Sequence, residues 1–150
     1  LDPSLNVFDL CSDLGLIGVQ ALIESKAKKV TFVEIRLHLI EQTKKIVADH
    51  SLTPQAEFIH GDALKFDLPE EPTCFIIAGV GTNLVISFLK RTMKRSGDLI
   101  LCHTHQNPTR FENKFTELGL VPVQVLDFED RGRAEKIWVF HTFTTTKKQF

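Results

Sequence analysis

At 150 residues, 43% hydrophobic and 25% charged, the chain has the size and make-up of one ordinary globular domain, which excludes a disordered, collagen-like or disulfide-scaffold protein. A formal net charge of −1, from 18 basic and 19 acidic residues, argues against holding nucleic acid by bulk charge. No apolar run nears the roughly 20 residues of a membrane span, so no membrane partner is expected.

Apolar β-rich runs alternate with helical patterns. Residues 6–12 (NVFDLCS) read as a strand and 16–25 as a helix. Residues 29–35 (KVTFVEI) are a second strand. Residues 37–50 are a helix, with Leu37, Ile40, Lys44 and Val47 at three-to-four spacing. Residues 56–60 form a third strand, and 67–72 (DLPEEP) an exposed acidic loop. Residues 74–80 (CFIIAGV) are apolar almost throughout, as in a parallel strand covered on both faces. A helix over 83–93, a strand over 98–104 and a helix over 108–118 follow, the last with Pro108 in its first turn and Gly119 past its end. Two β runs, 121–128 and 136–143, flank a polar turn, 129–135, and close the chain as an antiparallel hairpin.

The pattern counts as five β–α alternations and a hairpin. It predicts an α/β fold: a doubly wound, mostly parallel seven-stranded sheet with a C-terminal antiparallel hairpin. One domain over residues 1–150 is expected. With no Met at its start, Leu1 reads as a trimmed beginning that lacks an N-terminal segment. Cys11, Cys74 and Cys102 are too far apart for a disulfide framework or a zinc knuckle, so no metal is expected and a cytoplasmic setting fits.

Right-handed crossovers bring every strand-to-helix turn to the carboxyl edge of the sheet, where ligands of such folds bind. The first strand runs into Asp9-Leu-Cys11-Ser12-Asp13-Leu-Gly15-Leu-Ile-Gly18. Gly15 and Gly18 fill the last two places of G-x-G-x-x-G, and Asp13 stands in the first. An acid there repels a pyrophosphate and suits a ligand with a cationic head, such as S-adenosylmethionine. Alternatively, this is a tight turn with Asp13 as helix N-cap. Glu34 ends the second strand, where a carboxylate accepts both hydroxyls of a ribose. Gly61-Asp62 follows the third strand and offers an acceptor for an adenine amine, or an ordinary turn. Ala78-Gly79-Val80 ends the fourth strand beside open space, with Asn83 as a helix N-cap.

These residues carry a resemblance. VFDLCSDLGLIG, VTFVEI and FIHGDAL resemble motifs one to three of the class I, Rossmann-like S-adenosylmethionine-dependent methyltransferases. IIAGVGTNLVISFL, LILCHT and ELGLVPVQVLDFEDRGRAEKIWVF look like the TrmK-type bacterial tRNA (adenine-N1)-methyltransferases. Cys11 stands for a glycine of that family's D-I-G-S-D-H, Leu14 for its histidine, and Cys102-His103-Thr104 for its Q-P-N. The resemblance implies a cofactor site at Asp9, Cys11, Ser12, Gly15, Gly18, Glu34, Ile35, Gly61, Asp62, Ala63, Ala78, Gly79 and Val80. Asp13 is the candidate catalytic residue, as an acceptor-side or cofactor-side polar group.

If the acceptor is tRNA, contacts are expected from Arg110, Arg131 and Arg133, because the hairpin should turn at the ligand edge. Lys90, Arg91, Lys94 and Arg95 lie at the far edge and read as complements of a helix dipole. His103 and His105 lack a third metal ligand. They read as a solvated pair, with proton handling as the alternative. The leading expectation is a methyltransferase. The rivals are an inactive methyltransferase-fold binding subunit and an NAD-dependent oxidoreductase.

Overall fold

The computed structural model describes residues 4–143. In chain order the elements are β1 (Asn6–Leu10), α1 (Leu16–Ile23), β2 (Val30–Glu34), α2 (Leu37–Asp49), β3 (Ala56–His60), β4 (Thr73–Val80), α3 (Thr82–Thr92), β5 (Leu99–Thr104), α4 (Pro108–Glu117), β6 (Gln124–Asp130) and β7 (Arg133–His141), with a short 3-10 turn (Thr53–Gln55) before β3. One seven-stranded sheet has the order β3-β2-β1-β4-β5-β7-β6. The first five strands pair in parallel, and β7 pairs antiparallel with both β5 and β6. This is the expected α/β architecture. None of the described helices is long and apolar enough to cross a membrane.

Strand alternation sorts the core into two layers. Val7, Val30, Phe32, Cys74 and Ile76 point to one face and pack with Val19 and Leu22 of α1 and Val47 of α2. Leu10, Val33, Phe75, Ile77, Ile100 and Cys102 point to the other, against Val85, Phe88 and Leu89 of α3 and Phe111 and Phe115 of α4. The chain order reverses between β1 and β4, so a crevice opens at their carboxyl ends.

Two expectations are corrected. Four α-helices, not five β–α alternations, are present among the described residues, because residues 61–72 carry the crossover from β3 to β4 without a helix. The basic cluster explains how. Arg91 Nη1 donates to Ala63 O (3.1 Å) and its Nη2 to Phe66 O. Arg95 donates to Pro69 O (2.6 Å) and Glu71 O (3.2 Å). These two arginines pin the irregular crossover to the end of α3, a role beyond complementing a dipole. The second correction is the hairpin turn. It is only Arg131-Gly132, both at positive φ (50° and 76°), the conformation a two-residue hairpin loop requires. Both strands therefore reach closer to the turn than 121–128 and 136–143 suggest, while β6 starts later, at Gln124, and β7 ends earlier, at His141.

Arg95 also grips Asp98 through Nε–Oδ2 (2.5 Å) and Nη2–Oδ1 (3.1 Å), and Asp98 is 0% exposed. Arg95→Met strands that buried carboxylate and releases two carbonyls. It should lower stability by roughly 3–5 kcal/mol, read from the shift of the urea midpoint.

Candidate functional site

The turn after β1 is wound by three residues at positive φ: Cys11 (52°), Asp13 (52°) and Gly15 (70°). Cys11 thus keeps a backbone conformation that favours glycine, although it carries a side chain. The Gly15 position is closed on its inner side. A Cβ there would lie 2.5 Å from Thr43 Cγ2 and 3.0 Å from the Phe32 ring. At Gly18 a Cβ would lie 2.5 Å from Phe32 Cε1 and 2.9 Å from Val30 Cγ1. Both glycines are demanded by packing of α1 and its turn on β2 and α2. Neither is among the residues that line the cavity described next.

That cavity has a volume of ≈ 700 Å³ and lies at the crevice of β1 and β4. The structure brings together Asp9, Cys11, Ser12, Asp13, Glu34, Ile35, Gly61, Asp62, Ala63, Ala78, Gly79 and Val80 on its lining. It adds Leu14, Leu16, Ile17, Val33, Leu64 and Leu84 as apolar walls, and Arg36 and His103 as polar ones.

Three carboxylates face this space from successive strand ends. Asp9 is 3% exposed and accepts the Gly18 N–H at Oδ2 (3.0 Å). Burial pushes its carboxyl up to about 7, against the pull of that hydrogen bond, and the nearby Glu34 charge adds to the rise. Glu34 is 2% exposed and accepts from Asp13 N (2.9 Å), Arg36 N (3.1 Å) and Arg36 Nε (3.0 Å). Burial pushes Glu34 up too, but the hydrogen bonds from Arg36 and Asp13 outweigh it and hold the carboxyl below its ordinary value. Asp62 Oδ1 accepts from Leu64 N (2.8 Å). Ser12 Oγ is buried with no hydrogen-bond partner among the described residues.

Two capping assignments are corrected. Gly15 is the N-cap of α1, and Asp13 caps nothing. Its N–H serves Glu34, while its carboxylate is 69% exposed at the rim, 3.6 Å from Arg36 Nη2. The N-cap of α3 is Gly81, and Asn83 Oδ1 instead accepts from Lys114 Nζ (2.6 Å). Burial first, then the Glu34, Asp62 and Asp9 charges, push the Cys11 thiol up to about 11. No group of three potential metal ligands occurs among the described residues.

The residue that sequence reasoning missed is His103. It is neither solvated nor half of a metal pair. Its Nδ1 accepts the Gly79 N–H (3.1 Å) and its Nε2 meets Glu135 Oε2 (3.2 Å). Only the alternation of His103 and His105 hinted at it, and the partners of His103 lie 24 and 32 residues away.

A family model described as Methyltransferase domain matches residues 1–115. The chain belongs to that family. Sequence comparison with curated proteins returns no match. Among solved structures, the chain is similar to the Bacillus subtilis m1A22 tRNA methyltransferase TrmK (TM-score 0.81, 17% identity, 93% of this chain and 61% of that one). It is also similar to Streptococcus pneumoniae Sp1610 in complex with S-adenosyl-L-methionine (0.78, 17%, 91% and 65%). A third is M. capricolum TrmK in complex with S-adenosyl-homocysteine (0.76, 12%, 92% and 62%). At these identities the likeness is one of fold, and the chain spans less than two thirds of each structure's length. In this methyltransferase domain the acidic cavity occupies the end of the sheet where the chain order reverses.

Asp9 sets a pH dependence. Its folded value lies above the ordinary 3.8, so between about pH 4 and 7 the native state holds a proton that the unfolded chain has lost. Stability therefore falls as pH rises through this window, by a few kcal/mol at about 1.36 kcal/mol per unit. Glu34, held low, acts in the opposite sense and only at more acid pH. Asp9→Asn should flatten the fall between about pH 4 and 7 in urea titrations.

Proposed function

We propose that the cavity binds S-adenosylmethionine and that the domain transfers its methyl group. The observation that carries this reading is the donor set: Asp9, Glu34 and Asp62 at three successive strand ends, with one arginine, Arg36, already engaged by Glu34 and Asp13. A pyrophosphate needs free donors and a helix N-terminus without acids before it. This lining offers neither, which counts against the nicotinamide dinucleotide reading. It fits a ligand with cationic and hydroxyl groups and no phosphate.

In this reading Glu34 takes the ribose hydroxyls. Its carboxylate is already held in place by the turn, so little ordering remains when a ligand binds. Ile35, Gly61, Asp62 and Ala63 frame the adenine. Asp9 and the unpartnered Ser12 Oγ face the amino-acid end, where the cationic groups stabilise ionised Asp9. When bound, the cofactor supplies an electrophilic methyl on sulfur. The chain's part is to position and to exclude water: Leu14, Val33 and Leu84 form apolar walls, the exposed Leu16 and Ile17 stand at the mouth for a ligand to cover, and Ala78, Gly79 and Val80 border the side open to an acceptor. Asp13 is the polar group of the exposed rim beside Arg36.

For the acceptor we propose the N1 of a tRNA adenine. The fold shared with the m1A22 enzymes supports it, as do the exposed Arg110, Arg131 and Arg133, whose side chains have no hydrogen bond or ion pair to the described residues. They stand at the carboxyl edge, placed for phosphates. Three free thiols support a cytoplasmic setting.

Calorimetry tests the cofactor. S-adenosylmethionine should bind one to one, and Glu34→Ala should weaken it by about 1.5–3 kcal/mol, roughly ten- to a hundredfold. An unchanged dissociation constant in that variant would remove the ribose assignment. Binding without transfer to any tRNA would instead favour a methyltransferase-fold binding subunit.

A further inference from the structure

The acceptor-side wall of the cavity is built on an irregularity. β4 and β5 stay in register as far as Ile77 and Cys102, and pairing resumes at Val80 and Thr104. Ala78 and Gly79 together therefore face the single residue His103. Such a bulge leaves backbone groups outside the ladder, and these need other partners. Two histidines provide them. The Gly79 N–H donates to His103 Nδ1 at 3.1 Å, and His105 Nδ1 lies 3.3 Å from the Gly79 carbonyl. Gly79 sits at φ 70°, and a Cβ there would meet nothing within 4 Å. The peptide is thus held from β5 and open towards the cavity.

The clamp dictates a tautomer. An N–H can only donate, so Nδ1 carries the lone pair and the proton of the neutral ring is on Nε2. Nε2 donates to Glu135 Oε2, 3.2 Å away on β7. The His103 ring lies beside Phe128 of β6, with 6.0 Å between ring centres. Between Arg133 and Ile137, β7 pairs with β6 but not with β5. His103 therefore links this outlying half of the hairpin to the cavity wall.

We propose that His103, in its neutral Nε2–H form, is a positioning residue: it holds the Gly79 bulge in the shape an acceptor meets and couples that shape to the C-terminal hairpin through Glu135. Its part in methyl transfer rests on the methyltransferase reading above, whereas the clamp itself does not. A second proton on the ring would sit on Nδ1 and point at the Gly79 N–H. That contact is then lost, while the bond to Glu135 becomes charge-assisted and stronger. The ionisable group in contact with the ring is Glu135 from β7; His105, after β5, meets the same Gly79 peptide, and Asp9, Asp13, Glu34, Arg36 and Asp62 line the cavity that His103 also lines. Acid should therefore loosen the bulge and slow transfer while Glu34, held low by Arg36 and Asp13, keeps its place in the cradle.

The test uses the isotope-labelled full chain, with His103→Asn, whose amide oxygen can still accept from Gly79, and His103→Ala, which cannot. Nitrogen–proton correlation spectra of the imidazoles across about pH 5 to 8 report the tautomer. The Gly79 amide resonance reports the clamp. The expected result is an Nε2–H ring, and a Gly79 shift that moves with His103 protonation in the wild type and stays flat in both variants. S-adenosylhomocysteine affinity should change by no more than about twofold in either variant. Single-turnover methylation of unmodified tRNA transcripts at saturating cofactor should fall about ten- to a hundredfold in His103→Ala. His103→Asn should recover most of that rate and lose the part of the acid decline that follows the Gly79 shift, leaving only the part that Asp9 contributes. An Nδ1–H ring, or a Gly79 shift blind to His103, overturns the clamp. A normal rate in His103→Ala overturns the positioning role. If the wild type binds the cofactor but methylates nothing, the methyltransferase reading fails and the positioning role falls with it, while the spectra still decide the clamp.

Discussion

The site depends on one buried carboxylate. Glu34 lies at the end of a strand with no exposed residue, and an ion so placed is costly unless its lone pairs are met. Asp13 N–H, Arg36 N–H and the Arg36 guanidinium meet them. These bonds fasten the β1–α1 turn and the start of α2 to the tip of β2. Cys11 and Asp13 can hold left-handed backbone there, at about 1–2 kcal/mol each, because the turn is tied on both sides. The Gly18 N–H on Asp9 fixes the other side of the same turn. The carboxylates are thus structural before they meet any ligand, and their structural bonds give the cavity its shape and its sign.

The remaining frame keeps the mouth of that cavity open. A crossover between parallel strands is usually covered by a helix, but between β3 and β4 only a pinned segment is present. Arg91 and Arg95 reach back from α3 to four of its carbonyls. Asp62 and Ala63, at the near end of this segment, are thereby set against the cavity without a helix of their own. On the opposite side the clamp on Gly79 plays the same part for β4. In both places side chains replace regular secondary structure, and in both the exchange leaves backbone beside the ligand space.

Much of this was legible in the sequence. Apolar runs such as CFIIA placed β4, Pro108 and Gly119 bounded α4, and acids at successive strand ends marked the site. What was hidden depends on distance along the chain. Gly15 and Gly18 read as ligand-facing because a glycine motif does not say which side of the backbone is crowded, and Phe32 and Thr43 decide that from other elements. Arg91 and Arg95 read as dipole partners because carbonyls 24 to 28 residues away carry no sequence mark. The role of His103 required a bulge, and a two-against-one register is invisible until the strands are paired. The hairpin turn was drawn too long because charged residues at 129–135 resemble loop, yet an exposed strand at the sheet edge carries charge equally well.

The central claim is that the cavity is a phosphate-free nucleoside cradle anchored on Glu34. A crystal structure with S-adenosylhomocysteine tests it most directly. The account predicts both ribose hydroxyls within hydrogen-bond distance of the Glu34 carboxylate, the adenine between Ile35 and Asp62, and the amino-acid end towards Asp9 and Ser12. A nucleoside bound elsewhere, or bound here with Glu34 still wholly engaged by Arg36 and Asp13 and out of reach of the ribose, would contradict it.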